Sequence, residues 1–221
     1  MHDLGGTILD DLKNAVWVPA DDEYPPSSII SLLGGGAALA VFSLSCAERL
    51  GAVVERLADA ASVRSTVRSG LDLGWDALAD HPDDEAIARV ISDLDEIIST
   101  ADGNLGRYHG YLDDAISATA YALEVVSGSD EAAALNVVGR CREVAFQLAR
   151  QLWPRMSLRE LMSSYVVREE VLRQVRDAER IAQWGDVRSP DLLADLRQVA
   201  QREGATLANI IRNRAGGHGG R

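Results

Sequence analysis

One stretch restricts the fold of this chain more than any other: residues 29–47, IISLLGGGAALAVFSLSCA, contain no charged side chain. A run of 19 residues is long enough to form a transmembrane helix. The run is also rich in glycine and serine, and the acidic triplet at 21–23 precedes it, so the basic flank that orients membrane helices is missing. These features disfavour a membrane-spanning segment.

Two further alternatives exist for this run. A phosphate-binding loop is disfavoured, because GGGAAL has neither the GxGxxG spacing nor the Lys-Ser/Thr pair of a Walker motif. The other alternative is a helix that is apolar on all sides and lies at the centre of a soluble bundle. We therefore predict that most of residues 37–47 are inaccessible, and that Glu48 and Arg49 mark the point where the helix reaches the surface.

Helical periodicity recurs along the remainder of the chain, and no segment shows the alternating pattern of a strand. A helix is predicted from near Ser28 to Leu57, with a bend at the three glycines, and another helix follows Ser129 as its N-cap. The other predicted helices cover residues near 7–17, 62–80, 81–100 and 108–127, a segment of about 25 residues from the capping box at Ser157, and a last segment from Pro190. We predict an all-α fold, a single compact bundle of about seven or eight helices over 1–214, followed by a disordered glycine-rich tail at 215–221.

The negative charge is concentrated in the first half of the chain. Residues 1–105 contain 19 acidic and 6 basic residues, a net charge of −13, whereas residues 106–221 contain 15 and 16, a net charge of +1. An acidic surface repels nucleic acid and anionic lipid and attracts cationic proteins, although most such charges only solvate a surface. We therefore predict no nucleic acid and no membrane as partners, and allow for a cationic protein partner. The candidate partner-binding residues are Asp83, Asp84, Glu85, Asp93, Asp95 and Glu96.

The cysteine pattern and the first residues indicate the cellular setting. Cys46 and Cys141 are 95 residues apart and form no CxxC motif, so we expect two reduced, buried thiols and no zinc site. The N-terminus lacks the basic start and small-residue cleavage site of a signal peptide. No HExxH or Glu-x-x-His motif is present. We therefore predict a cytoplasmic protein with no metal and no cofactor.

The densest group of polar and aromatic residues is RYHGYLDDA. It places Tyr108, His109, Tyr111 and Asp113 together, with Asp114 next to them, and a helix that begins early would put His109 and Asp113 on one face. This group is the candidate pocket of an enzyme or small-ligand binder. The ordinary explanation is a helix start in which the two aspartates are first-turn acids.

The segment 157–184 is rich in arginine. Glu169, Arg173 and Asp177 are spaced at i,i+4, which is typical of a solvated helix face. The arginines of the segment are alternatively placed to meet acidic residues of the first half, within the chain or across a homodimer. Residues 157–184 are therefore our candidate surface for a homodimer.

The order of several segments resembles the YjaG-like helical family, bacterial proteins of unknown function. The matching segments are AALAVFSLSCAERL (37–50), LDLGWDAL (71–78), YHGYLDDAISATAYALEVVSG (108–128), YVVREEVLRQVRDAERIAQW (165–184) and LLADLRQVAQREGATLANI (192–210). Family members often continue after the charged end of the first segment with a turn that contains proline and an aromatic residue, whereas Gly-Ala-Val stands here. The resemblance implies a compact all-α fold in the bacterial cytosol, and it implies no reaction and no catalytic residue.

These observations favour a non-enzymatic acidic interaction protein, because no catalytic motif accompanies the charge asymmetry. A concrete version is an immunity protein that binds a basic toxin, since nuclease toxins have positive active-site surfaces. The alternative is the helical enzyme or small-ligand binder with a pocket near Tyr108, His109 and Asp113.

Overall fold

The structure is a computed structural model that describes residues 26–79, 83–100, 105–128 and 130–216. Within these ranges the chain forms eight helices of eight or more residues, one helix of five residues, one 3-10 turn of three residues (Gly106–Tyr108) and no strand, which confirms the all-α prediction. The helices are α1 (Pro26–Leu33), α2 (Gly36–Leu57), α3 (Ala61–Ala79), α4 (Asp84–Thr100), α5 (His109–Gly128), α6 (Glu131–Leu152), α7 (Leu158–Met162), α8 (Tyr165–Gln183) and α9 (Pro190–Gly216). The helix predicted near 7–17 and residues 217–221 of the predicted tail lie outside the described residues.

The glycine triplet separates two helices. Gly34, Gly35 and Gly36 all have positive φ, at 68°, 86° and 59°. Residues with a Cβ reach this left-handed region only at a cost of about 1–2 kcal/mol, so three such residues in succession require glycine. The predicted bend is therefore a break, with α1 ending at Leu33 and α2 beginning at Gly36.

Helix α2 is the centre of the bundle. It packs against α3, α5, α6, α8 and α9. Every residue from Leu39 to Ala47 is buried, which confirms the predicted burial of most of 37–47. By length and composition α2 is the one helix among the described residues that could cross a bilayer, and 89% of its most apolar window is buried inside the fold.

Close packing around α2 depends on small residues. A Cβ on Gly204 of α9 would lie 2.0 Å from the carbonyl oxygen of Arg49, so the two helices can approach this closely only because Gly204 has no side chain. Cys46 and Cys141 are buried free thiols at the contact of α2 with α6, where Cys141 Sγ lies 3.6 Å from the carbonyl oxygen of Cys46. Both cysteines thus pack in the core as predicted.

Three helix boundaries differ from the prediction. The capping box of Ser157 and Glu160 is present, but the helix that it starts ends at Met162, and α8 begins separately at Tyr165. The N-cap of α6 is Asp130, whose side chain accepts a hydrogen bond from the Ala132 amide, and not Ser129. Helix α9 begins at Pro190 as predicted and continues to Gly216, so the first two residues of the predicted tail are helical.

Candidate functional site

The six acidic residues predicted to bind a partner all lie in one short part of the chain. Asp83 directly precedes α4 and the other five lie on it, and each of the six is exposed. Helix α4 packs against α3 and α5 at the edge of the bundle. We call these six residues the acidic surface: Asp83, Asp84, Glu85, Asp93, Asp95 and Glu96.

The two ends of the acidic surface differ in what they do for the helix. Asp83 Oδ1 accepts a hydrogen bond of 3.0 Å from the amide of Ala86, and Asp84 and Glu85 occupy the first turn. Carboxylates at a helix N-terminus stabilise the helix by interacting with its positive end. The first three acids thus have a structural role that the last three, in the middle of α4, do not share.

Nothing in the described part of the chain neutralises the acidic surface. None of its six carboxylates forms an ion pair there, and Arg89 is the one basic residue between 83 and 100. More negative charge lies beside it: burial raises the pKa of Glu124 on α5, and the neighbouring carboxylates of Asp130 and Asp95 raise it further. Negative charge therefore extends beyond the acidic surface to Glu124 on α5 and to Asp130, the N-cap of α6.

The candidate pocket residues do not share one environment. Tyr108 and Tyr111 are buried, Asp113 is half-buried, and His109 is exposed at the start of α5. Tyr111 and Leu112 lie on the buried face of α5, and Tyr108, just before the helix, is buried as well. His109 lies on the exposed side of the first turn. The structure thus buries the two tyrosines and leaves His109 in solvent, and a pocket near His109 stays a prediction.

The buried polar residue of this region is Asp114. Its carboxylate accepts hydrogen bonds from Arg140 at 2.9 Å and from Gln147 at 2.7 Å, both on α6. Burial raises the pKa of Asp114 to about 6, even though the guanidinium of Arg140 acts to lower it. The hydroxyl of Tyr111 is buried without a hydrogen-bond partner, and burial raises its pKa well above the usual value. This group ties α5 to α6.

The largest error of the prediction concerns Glu48. Its side chain is completely buried rather than at the surface. Its two oxygens accept hydrogen bonds from Arg68 on α3 (2.9 Å), the indole of Trp75 (2.8 Å) and the amide of Gln201 on α9 (2.8 Å). Burial acts to raise the pKa of Glu48, but these donors, led by the Arg68 guanidinium, outweigh burial and hold the pKa below its usual value.

Arg49 is buried as well, and its partners lie on α8 and α9. Its guanidinium donates to Glu170 at 3.0 Å, to Asp177, and to Glu203 at 3.2 Å. Asp177 also accepts a hydrogen bond from Ser45 at 3.1 Å. Burial lowers the pKa of Arg49, but the Glu170 and Asp177 carboxylates raise it well above the usual value, so this arginine stays charged.

These two residues and their partners form a layer of charge across the middle of the bundle. We call it the buried charge layer, and its members are Glu48, Arg49, Arg68, Trp75, Glu170, Asp177, Gln201 and Glu203. The layer connects α2 to α3, α8 and α9. Glu48, with its lowered pKa, and Arg49, which stays charged, are suited to ion pairing. Burial raises the pKa of Glu170, although the guanidinium groups of Arg49 and Arg173 act to lower it.

The arginine-rich segment supplies part of this layer. Arg173 pairs with Glu170 at 3.5 Å and Glu203 at 3.8 Å, and not with Glu169 as predicted. Asp177 faces the core and pairs with Arg49 instead of joining a solvated row of charges. The predicted homodimer surface at 157–184 therefore uses many of its charges within the chain.

A sequence signal for the buried charge layer exists. The apolar run resumes directly after Glu48 and Arg49 as Leu50-Gly51-Ala52-Val53-Val54, and these residues are also buried. Two charges enclosed by apolar residues on both sides of one helix indicate buried ions that need partners. The prediction placed these two charges at the surface because charged side chains that follow an apolar run are usually solvated.

Comparisons with family models, with characterised proteins and with solved structures give no match to this chain. The resemblance to the YjaG-like family therefore stays a prediction. In the described part of the chain, no group of three or more His, Cys, Asp or Glu side chains is arranged to hold a metal ion.

Proposed function

We propose that this protein is a non-enzymatic interaction protein that binds a cationic protein partner through its acidic surface. One observation carries the proposal. Residues 83–100 contain six exposed carboxylates and only one basic residue, and none of the six forms an ion pair with the described residues. Acids elsewhere, such as Asp177 and Glu203, have arginine partners within the chain. Asp93, Asp95 and Glu96 in particular have neither an ion-pair partner among the described residues nor a role at the N-terminus of α4.

The physical role of such a surface is to steer and orient a partner of opposite charge. Complementary surface potentials accelerate association and fix the docking orientation, and salt screens both effects. A basic toxin enzyme is the concrete partner class, with this protein as its immunity protein in the bacterial cytosol. A nuclease fits this role because its substrate-binding surface is positively charged.

The alternative function, an enzyme or small-ligand binder near His109, has less support from the geometry. An exposed His109 and a half-buried Asp113 do not enclose a substrate. The one buried carboxylate there, Asp114, is occupied by Arg140 and Gln147.

The test is affinity capture at low salt followed by binding with the purified partner. The protein is immobilised, captured proteins are identified by mass spectrometry, and each basic candidate is purified and titrated by calorimetry. The variant Asp93→Asn/Asp95→Asn/Glu96→Gln removes three charges from the middle of α4 and avoids the three acids that stabilise its N-terminus. The matched control, Asp59→Asn/Glu143→Gln/Asp186→Asn, removes three exposed charges elsewhere.

We expect a basic protein that binds with 1:1 stoichiometry, with an affinity that falls as salt rises. The α4 variant should raise the dissociation constant at least tenfold, which is a loss of about 1.4 kcal/mol of binding free energy. The control should change the dissociation constant less than threefold. Equal affinities of the two variants, or the absence of any basic partner, would refute the proposed function.

A further inference from the structure

A groove of about 470 Å³ opens above the buried carboxylate of Glu48. It lies between α2, α3 and α9, and three arginines line it, one from each helix: Arg56, Arg68 and Arg197. Glu55 and Asp72 line it too, and the buried Glu48 carboxylate pairs with Arg68 and Arg197, so three arginines stand against three carboxylates in a chain whose net charge is −12. The groove is a local concentration of arginine on an acidic protein.

Most of the hydrogen-bond donors on these arginines are free. A guanidinium has five N–H groups. Arg68 donates through all three of its nitrogens to Glu48, Glu55 and Asp72. Arg197 donates one hydrogen bond, to Asp72, and its Nε is 3.7 Å from Glu48, beyond hydrogen-bond distance. Arg56 is exposed and forms no side-chain hydrogen bond or ion pair with the described residues.

The buried charge layer holds this donor set in place. Arg68 and Gln201, which both line the groove, are fixed from below by the two oxygens of Glu48. Arg212, whose guanidinium donates to the main-chain oxygen of Arg56, adds a fourth arginine at the same end of α2. Of the two arginines with free donors, Arg197 is held in place by Asp72, and a donor that is positioned before a ligand arrives loses little entropy when it binds.

We propose that this groove is a binding site for a small oxyanion, a phosphate or carboxylate group, with Arg56 and Arg197 as its main contacts. Planar guanidinium groups bind both kinds of anion through paired, charge-assisted hydrogen bonds. Glu48 is a positioning residue in this site, because it acts on the anion only through Arg68 and Gln201. The site lies on α2, α3 and α9, away from the acidic surface on α4.

The test is isothermal titration calorimetry with inorganic phosphate, and in a second arm with succinate, at constant ionic strength set by chloride. Arg56→Gln is the decisive variant, because Arg56 does not contact Glu48 and its loss leaves the buried charge layer intact. The matched control is Arg89→Gln, which removes an exposed arginine from α4. The α4 variant Asp93→Asn/Asp95→Asn/Glu96→Gln completes the set.

We expect saturable 1:1 binding of at least one anion, weakened on the order of tenfold by Arg56→Gln, as the loss of one charge-assisted hydrogen bond implies. Arg89→Gln and the α4 variant should bind the anion like the wild type. Tighter binding of phosphate than of succinate would identify a phosphate ligand, and the reverse would identify a carboxylate. The absence of saturable binding, or an equal loss in Arg56→Gln and Arg89→Gln, would overturn the site. Because the α4 variant tests the proposed function separately, either proposal can fail alone.

Discussion

Two regions of this molecule carry concentrated charge, and they differ in whether that charge is buried and paired or exposed and unpaired. In the buried charge layer, Glu48 and Arg49 are inaccessible, and each has at least three hydrogen-bond partners on other helices. On the acidic surface, Asp93, Asp95 and Glu96 are exposed and have no ion-pair partner among the described residues. Burial, rather than the density of charge, separates the two regions.

Charge contributes differently to folding stability in the two regions. Removing an ion from water costs several kcal/mol, and a fold tolerates that cost only where partners and hydrogen bonds offset it. An exposed carboxylate remains hydrated, so its contribution to stability is small, whether or not it is paired. The buried charge layer is accordingly expected to govern stability, and the acidic surface to govern binding.

The largest expected effect is the loss of Arg49. Arg49→Met removes the cation between Glu170, Asp177 and Glu203 and leaves two buried carboxylates without their principal partner. Breaking a buried pair by removing one member costs about 3–5 kcal/mol. Urea unfolding followed by tryptophan fluorescence should show this decrease in the free energy of unfolding.

The matched control for that experiment is Arg89→Met on the exposed face of α4. The chemical change is identical, and the expected change in the free energy of unfolding is within about 0.5 kcal/mol, as for most surface substitutions. Similar losses in the two variants would mean that burial does not separate the regions.

A smaller effect is expected at Asp114, which is an intermediate case. It is buried like the charge layer, but it has one arginine partner, Arg140, and its pKa is raised to about 6. The folded protein therefore binds this proton more tightly than the unfolded chain, in which an aspartate has a pKa near 4. The stability that Asp114 contributes is complete below about pH 4 and is lost as the pH rises towards 6.

Asp114→Asn removes this titration. The melting temperature of the wild type should fall relative to that of Asp114→Asn as the pH rises from 4 to 6, and the difference should be constant above pH 7. Thermal unfolding in buffers of equal ionic strength measures it. A difference that does not vary with pH between 4 and 6 would show that the pKa of Asp114 is not raised.

The sequence predicts the helices well because their signals are local. Leu39 to Ala47 have no charge to hydrate, Ser157 and Glu160 form their capping box within one turn, and Pro190 begins a helix where its missing N–H is no loss. The break after the capping box is less predictable. Ser163 is the C-cap of α7 and Ser164 the N-cap of α8, and serine favours caps, but it also occurs inside helices, so the pair alone does not specify a break.

The contacts of the buried charge layer cannot be predicted from local patterns. Arg49 and its partners Glu170 and Glu203 are 121 and 154 residues apart in sequence, so their pairing depends on how α2, α8 and α9 pack. The spacing of Glu169 and Arg173 predicts a surface pair, whereas the rotation of α8 brings Glu170 and Asp177 to the core. The acidic surface is exposed, as expected for closely spaced carboxylates that have one basic residue among them in sequence.

The most direct test compares one chemical change in the two regions: Glu48→Gln in the buried charge layer and Glu96→Gln on the acidic surface. At pH 7 the first replaces a fully buried carboxylate that binds Arg68, Trp75 and Gln201, and the second replaces an exposed one. We expect Glu48→Gln to lower the free energy of unfolding in urea by about 3 kcal/mol and Glu96→Gln to change it by less than about 0.5 kcal/mol. Equal changes in the two variants would contradict the division of this protein into a structural charge layer and an acidic surface that is available to a partner.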